Sequence, residues 1–560
     1  MKRIFRAVAA VLCFVTIFAF AGCGRENKDL TVDKTKLQLY VKYYNGGFGD
    51  AWLKQLVSEF EEMYADVRFS NGKTGVQIMP EFTRGQLSGP SAMKGNRNNV
   101  YLMENIDYYS FVTGDTLLDV TDLVNDYAVT GIAEDGSFTR ESDKKISGKI
   151  MEAYDEFLNV NGKYYGLPLF ETSINLNYDI DLFRQKCLYF AAGKTAEKFT
   201  EEDFNDEEKI SNLFISEYDE DVALAFGPDG EPNTSDDGLP ATYKDFRALT
   251  IYMKIVGVTP FVWNGYETGY LTGLINDMWA NNEGEEQMKL NFTFGGAAKT
   301  LVDTIDEKGN VTLKPETPID ETNFKLLQRQ KGKLDALEFA KLLLDDGTNK
   351  QDSKNYFAKS FDGGFSHTNA QSYFLNPEAN NIGDNPIGFL VDGGWWYNEA
   401  KVQNRNIGIL PLPKTDARKI GTPNTKISDR LSFMFISKET KAEVVPVAKA
   451  FLSFLQTDHA MRTYTAYTNT FRAMKYDLTT EILDKMDYYG KSVYATRNSA
   501  GTVVLPWTPI SSTARKNAGL LSYRTYGFSV NSQENNPLIY FKDHKASTKE
   551  YFEKIWDFRK

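Results

Sequence analysis

The chain has 560 residues, 42% hydrophobic and 25% charged, a globular balance with apolar material for two or three domains. Its net charge is −12 and no dense Lys/Arg run occurs, which sets nucleic-acid binding aside. Only three cysteines occur; Cys13 lies in an N-terminal segment expected to be cleaved and Cys23 is the expected lipid anchor, so Cys187 is left without an intrachain disulfide partner.

Lys2, Arg3 and Arg6 precede an uncharged, mostly apolar run from Ala7 to Gly22. That run is shorter than the roughly 20 apolar residues a membrane span needs, and it predicts a secretory signal peptide over residues 1–22. The tetrad "FAGC", Phe20 to Cys23, resembles a bacterial lipobox with Phe20 at the usual Leu position. The resemblance implies cleavage before Cys23, a lipid on its thiol, and a protein anchored on the extracytoplasmic face of the cell membrane. Polar residues 23–36 then read as the tether.

"LQLYVKY" alternates Leu37, Leu39, Val41 and Tyr43 as a strand does. "YNGGFGD" breaks it, placing Phe48 and Trp52 at a glycine turn, with Asp50 as cap of a helix bearing Leu53, Leu56, Val57 and Phe60. "GVQIMPEF" reads as a second strand, and strand–helix–strand order predicts a parallel α/β layer. A short strand, Val100 to Met103, ends at Glu104, with Asn105, Tyr108 and Tyr109 just beyond. In open α/β sheets ligands sit off the carboxyl ends of strands, so Glu104 and Tyr108 are candidate contacts.

"NGKYYGLPLFETSINLNYDIDLF" carries two apolar stretches around Pro168 and a polar "ETS" that includes Glu171. "GPDGEPNTSDDGLP" concentrates Asp229, Glu231, Asn233, Ser235, Asp236 and Asp237 among glycines. Calcium takes six to eight oxygen ligands from loops of this kind. Two readings fit: a structural Ca2+ held by Asp229, Glu231, Asn233, Asp236 and Asp237, or a solvated acidic turn before the next helix. That helix is capped by Thr242 and buries Phe246, Leu249, Met253 and Val256. "PFVWNGYETGY" then sets Trp263 and Tyr266 around polar residues. Residues 281–385 are weakly patterned and charged. From "PIGFLVDGGWWYNEA" the pattern is strand, glycine turn and helix; "IGILPLPK" and "RLSFMFISKET" read as strands, "VVPVAKAFLSFLQTD" and "KEYFEKIWDFRK" as helices.

Catalytic signatures do not emerge. The three histidines, His367, His459 and His544, are far apart, and no HExxH, CxxC, G-x-S-x-G or complete P-loop occurs. Aromatic content is high at 14%, and three adjacent rings, Trp395, Trp396 and Tyr397, cannot all enter one core.

The ordered set "NGKYYGLPLFETSINLNYDIDLF", "LPATYKDF", "IGFLVDGGWWYNEA", "IGILPLPK", "RLSFMFISK" and "AKAFLSFLQTD" resembles the family 1 extracellular solute-binding proteins, the sugar-binding lipoproteins of ABC importers. The resemblance implies an α/β, two-lobed periplasmic-binding-protein-like fold of type II with the ligand cleft between the lobes. Lobe one is expected over 37–171 with 431–469, and lobe two over 172–430 with 470–560, the chain crossing near Glu171, Arg430 and Asn469. It also implies a monomeric, non-enzymatic carrier that delivers an oligosaccharide to ABC permease subunits and requires no cofactor. A glycine turn followed by Trp matches Gly394 and Trp395, making Trp395 the expected stacking residue, with Trp396 beside it. Glu104, Tyr108, Phe48, Trp52, Glu171, Trp263 and Tyr266 complete the expected ligand contacts. A lipid-anchored glycan-active enzyme and a binding protein for a non-sugar ligand are the alternatives that this pattern leaves open.

Overall fold

The computed structural model describes residues 31–104, 108–348, 353–376, 385–402, 404–428, 432–498, 503–506, 527–528 and 532–559. The expected signal peptide, the expected lipidation site Cys23, Asn105 and Arg430 lie outside these. Among the described residues no helix is long and apolar enough to cross a membrane.

Two sheets organise the molecule. The first contains β1 (Leu37–Tyr44), β2 (Val76–Thr83), β3 (Val100–Glu104), a short β4 (Leu167–Pro168) and, from much later in the chain, β10 (Ser432–Ile436). Its order is β2-β1-β3-β10-β4, with β1 parallel to β2 and β3, and β10 antiparallel to β3 and β4. The second contains β5 (Ile174–Asp179), β6 (Thr259–Trp263), β7 (Ile387–Gly393) and β8 (Ile407–Leu410). Its order is β8-β5-β7-β6, with β7 parallel to β6 and antiparallel to β5. A further strand, β9 (Thr425–Ser428), leads from the second sheet back towards β10.

Alternation in β1 does what the sequence predicts: Leu37, Leu39, Val41 and Tyr43 are buried and the residues between them half-buried. The helix Ala51–Met63 covers that sheet with Trp52, Leu53, Leu56 and Phe60. Each such side chain contributes about 1.5–3 kcal/mol through burial. Asp50 occupies the position before this helix but makes no capping hydrogen bond; its carboxylate pairs with Lys54 one turn on, at 2.8 Å. Thr242 does cap its helix, in a reciprocal arrangement with Asp245. The longest helix among the described residues, Gly269–Thr293, runs into the weakly patterned region and is broken at Gly284 (φ 77°), a conformation that glycine tolerates.

The chain passes from the first sheet to the second between Pro168 and Ile174, and it returns between Leu410 and Ser432. The outgoing passage is stitched to Ser432, at the end of the return, and to Phe471, just past the helix Asp458–Thr468. Leu169 N–H donates to the Ser432 carbonyl at 3.0 Å, and Glu171 N–H donates to the Phe471 carbonyl at 3.1 Å. Phe170 N–H donates to Ser432 Oγ, which in turn donates to the Phe170 carbonyl, both at 3.0 Å. Beside this seam lies the fully buried guanidinium of Arg472. It donates to the carbonyls of Leu169, Leu455 (3.1 Å) and Pro168 (3.3 Å), and to Gln456 Oε1 (3.1 Å). With carbonyl and amide partners rather than a carboxylate, burial pulls its pKa down to about 10. Arg472→Met leaves these buried acceptors unpaired, and we expect a loss of about 3 kcal/mol in unfolding free energy by urea titration. An unchanged midpoint would show that the seam holds without it.

Candidate functional site

The two α/β units meet where their strand ends face each other. On one side β1 ends in the turn Asn45–Gly49. Asn45 Oδ1 accepts from Gly49 N–H at 3.1 Å, and Tyr43 OH donates to the Gly49 carbonyl at 2.8 Å. On the other side β7 ends at Gly393, and Trp395 follows. A Cβ on Gly47 (φ +98°) would lie 3.0 Å from the Trp395 Cβ, and one on Gly393 would lie 2.1 Å from the far edge of the same indole. Glycine is therefore required at both places by close approach, and Trp395 fills the junction with only 5% of its surface exposed. Tyr270 meets its indole edge to face, with centroids 5.7 Å apart. Glu104 borders the same turn: a Cβ on Gly46 would lie 2.5 Å from Glu104 Oε2. Phe48 packs on Phe170 at 4.5 Å, at the foot of the crossing.

The three adjacent rings divide their tasks. Trp396 is fully buried against Phe374, Tyr397 and Tyr489, at 5.8, 6.0 and 6.4 Å. Tyr397 stacks flat on Tyr489 at 4.3 Å and donates its hydroxyl to Asp487 Oδ2 at 2.8 Å. Trp395 alone stands at the junction.

Other expected contacts are core side chains instead. Trp52 packs edge to face on Tyr43 and Tyr464, its indole N–H 3.3 Å from Tyr43 OH. Tyr108 donates to the Leu158 carbonyl at 3.0 Å and accepts from Tyr165 N–H at 2.9 Å beneath Phe157 and Phe433. Trp263 lies between Tyr356 and Phe361, each at 5.4 Å. For Trp52, Tyr108, Trp263 and Trp396 the reason is the same: inward-facing positions of strands and helices leave a large ring nowhere else to go. Tyr266 is the opposite case, 62% exposed on the loop before the long helix.

Glu171 lines a cavity of about 60 Å³ at the crossing, together with Thr172, Gly394, Lys426, Phe471 and Arg497. Burial raises the Glu171 pKa, while the Arg497 and Lys426 cations oppose the rise. Lys426 Nζ donates to Asn175 Oδ1 at 3.0 Å. Lys426 and Arg497 come from segments far along the chain, and no local pattern in the sequence marks them.

A second polar group backs Trp395. Gln371 Nε2 donates to Asp392 Oδ2 at 3.0 Å and Glu399 Oε2 at 3.2 Å, and His367 lies 3.5 Å from Glu399. Burial pushes the Asp392 carboxyl up to about 7 from an ordinary 3.8, Glu399 adding to the rise and His367 opposing it. Between those values the folded protein holds a proton that the unfolded chain has released. Asp392 therefore contributes stability at low pH that is lost as pH rises through about 7. The melting temperature of Asp392→Asn, measured relative to the parent, should rise between pH 5 and pH 8; a constant difference would remove this titration.

The acidic loop closes on itself. Asp229 N–H donates to Asp236 Oδ2 at 3.2 Å, Glu231 N–H to Asp229 Oδ1 at 2.8 Å, Asn233 N–H to Asp237 Oδ2 at 2.7 Å, and Thr234 Oγ1 to Asp236 Oδ1 at 2.6 Å. Among the described residues no group of three His, Cys, Asp or Glu is placed to hold a metal ion, this loop included. Burial lifts Asp236 to about 6. With backbone N–H groups already answering these carboxylates, chelation should leave the melting temperature unchanged. A fall of several degrees would assign calcium to the loop.

No family model matches the chain, and no curated protein sequence matches it. Solved structures do. A chitin oligosaccharide binding protein superposes with a TM-score of 0.54 at 14% identity, over 94% of this chain and 98% of that one. A structure from work on xylan utilization by the thermophilic bacterium Caldanaerobius polysaccharolyticus gives 0.51 at 12% identity, over 93% and 99%. The bacterial solute receptor AcbH, described as preferring β-D-galactopyranose, gives 0.50 at 11% identity, over 93% and 97%. The likeness spans nearly the whole chain, which has the two-lobed α/β fold of these proteins.

Proposed function

We propose that the protein is a carbohydrate-binding protein that captures an oligosaccharide between its two lobes. One observation carries this reading: Trp395 stands at the meeting of the lobes, against Gly47 of one and Tyr270 of the other. The face of a pyranose ring presents C–H groups that stack on an indole, and its hydroxyls take edge-on polar partners. Glu104 borders the facing turn and Glu171 the crossing, each within the same junction. Chitin oligosaccharide and galactopyranose, named for proteins of this fold, support the ligand class.

Ligand that touches both lobes favours the arrangement in which they meet, by its difference in affinity between open and closed forms. On this reading the protein is a carrier rather than an enzyme. It is held outside the membrane by a lipid on Cys23, works as a monomer, and passes its ligand to the permease subunits of an ABC importer. The "FAGC" lipobox resemblance and the absence of catalytic signatures in the sequence support these parts.

The test is a titration of the purified protein against a panel of oligosaccharides, followed by tryptophan fluorescence and calorimetry, with chromatography to look for product. A hit at about micromolar affinity with no product formed supports a carrier. Trp395→Ala should weaken that hit at least about tenfold, some 1.4 kcal/mol, with its circular dichroism unchanged. Equal affinity would take Trp395 out of the site, and silence across the panel would move the reading to a non-sugar ligand.

A further inference from the structure

The cavity at the crossing holds two polar atoms that the protein leaves unanswered. Among the described residues, Glu171 Oε2 and Thr172 Oγ1 are both buried and neither has a hydrogen-bond partner. Both residues line the cavity, and Gly394, directly before Trp395, lines it too. Buried acceptors without partners are costly, and a ligand that supplies a donor removes the cost. At about 60 Å³ the space is far below the roughly 300–1,000 Å³ that encloses a whole ligand, so it receives only one edge of a sugar.

The cations of the cavity are committed elsewhere. Arg497 Nη1 donates to the Arg472 carbonyl at 3.0 Å and Nη2 to the Met474 carbonyl at 2.6 Å, while its guanidinium lies over Phe471 at 4.6 Å. Lys426 is directed at Asn175, and the Glu171 and Asp277 carboxylates both act on its charge. Two cations are thus balanced by two carboxylates, and the unanswered atoms are a carboxyl oxygen and a hydroxyl.

We propose that this cavity selects uncharged sugars, taking a ligand hydroxyl onto Glu171 and Thr172 and rejecting uronates and other acidic sugars. The proposal rests on the sugar-binding reading above. A hydroxyl both donates and accepts, so it can serve the Glu171 carboxyl and the Thr172 hydroxyl together. A ligand carboxylate offers only acceptors, and it would stand beside a carboxyl group in a water-poor space where like charges repel strongly.

Calorimetry on the purified protein with matched pairs tests it: mannotriose against trimannuronate, galactotriose against trigalacturonate, and xylotriose against its glucuronic-acid-substituted form. The neutral member of whichever pair binds should be at least about thirtyfold tighter. Glu171→Gln, which removes the repelling charge but keeps an acceptor, should narrow that gap about tenfold, with an unchanged melting profile. A uronate that binds as tightly as its neutral match overturns the selectivity and leaves the sugar-binding reading standing. A gap that Glu171→Gln leaves unaltered overturns the assignment to this cavity. Silence in every pair overturns the sugar-binding reading and this inference with it.

Discussion

The structure depends on backbone hydrogen bonding where the chain passes between its two sheets. A segment that leaves one sheet for another loses its ladder partners, yet at the centre of the molecule its N–H and C=O groups are sealed from water and must still be paired. Here the outgoing passage pairs with later chain: Leu169 and Phe170 with Ser432, and Glu171 with Phe471. Arg472 then adds its guanidinium donors to the carbonyls of Leu169, Leu455 and Pro168 beside the seam. The same seam fixes where side chains project. Once the Glu171 N–H is tied to Phe471, its carboxyl and the Thr172 hydroxyl border the crossing cavity rather than solvent. The feature that joins the lobes therefore also positions part of the candidate site.

Periodicity made most of the fold legible. β1, β3, β7, β8, β10 and the helix capped by Thr242 all lie where alternation, glycine turns and capping residues put them. Their signals are local, and local signals survive in a single sequence. Asp50 shows the limit of that reading: it has the right type and place for a cap, but Lys54 one turn on takes its carboxylate instead. β6 was less visible because "TPFVW" is a short apolar run that fits a strand or a buried helix segment equally.

The candidate site was legible only in part, and the aromatics show why. Trp395 was marked by its glycines, because a backbone that must approach an indole closely leaves a trace in residue type. Trp52, Trp263 and Trp396 carry no trace that separates a core ring from a contact ring; only tertiary packing decides it. Lys426 and Arg497 were hidden for a different reason. Each is an ordinary surface-type residue in sequence, brought to Glu171 from far along the chain; Lys426 meets Asn175 across a sequence separation of 251.

Charge is distributed around the junction in a way that follows from these constraints. Asp392 is a fully buried acid and Glu171 a partly buried one; burial raises both pKa values, at Glu171 against the opposing Arg497 and Lys426 cations, and both sit where a β-strand ends or a crossing begins. A protein held together by its core gains nothing from burying an acid there, since an apolar residue of the same size costs less. The two are nevertheless supported differently. Asp392 is answered by Gln371 and by the N–H of Gly393, the glycine against which the Trp395 indole packs. Glu171 keeps one oxygen unanswered and borders open space. A buried acid with its partners supplied is explained by the fold, whereas one left waiting for a donor is explained by what the site receives. On that distinction Asp392 belongs to the scaffold and Glu171 to recognition, although both have raised pKa values and either would pass for a functional acid on the shift alone.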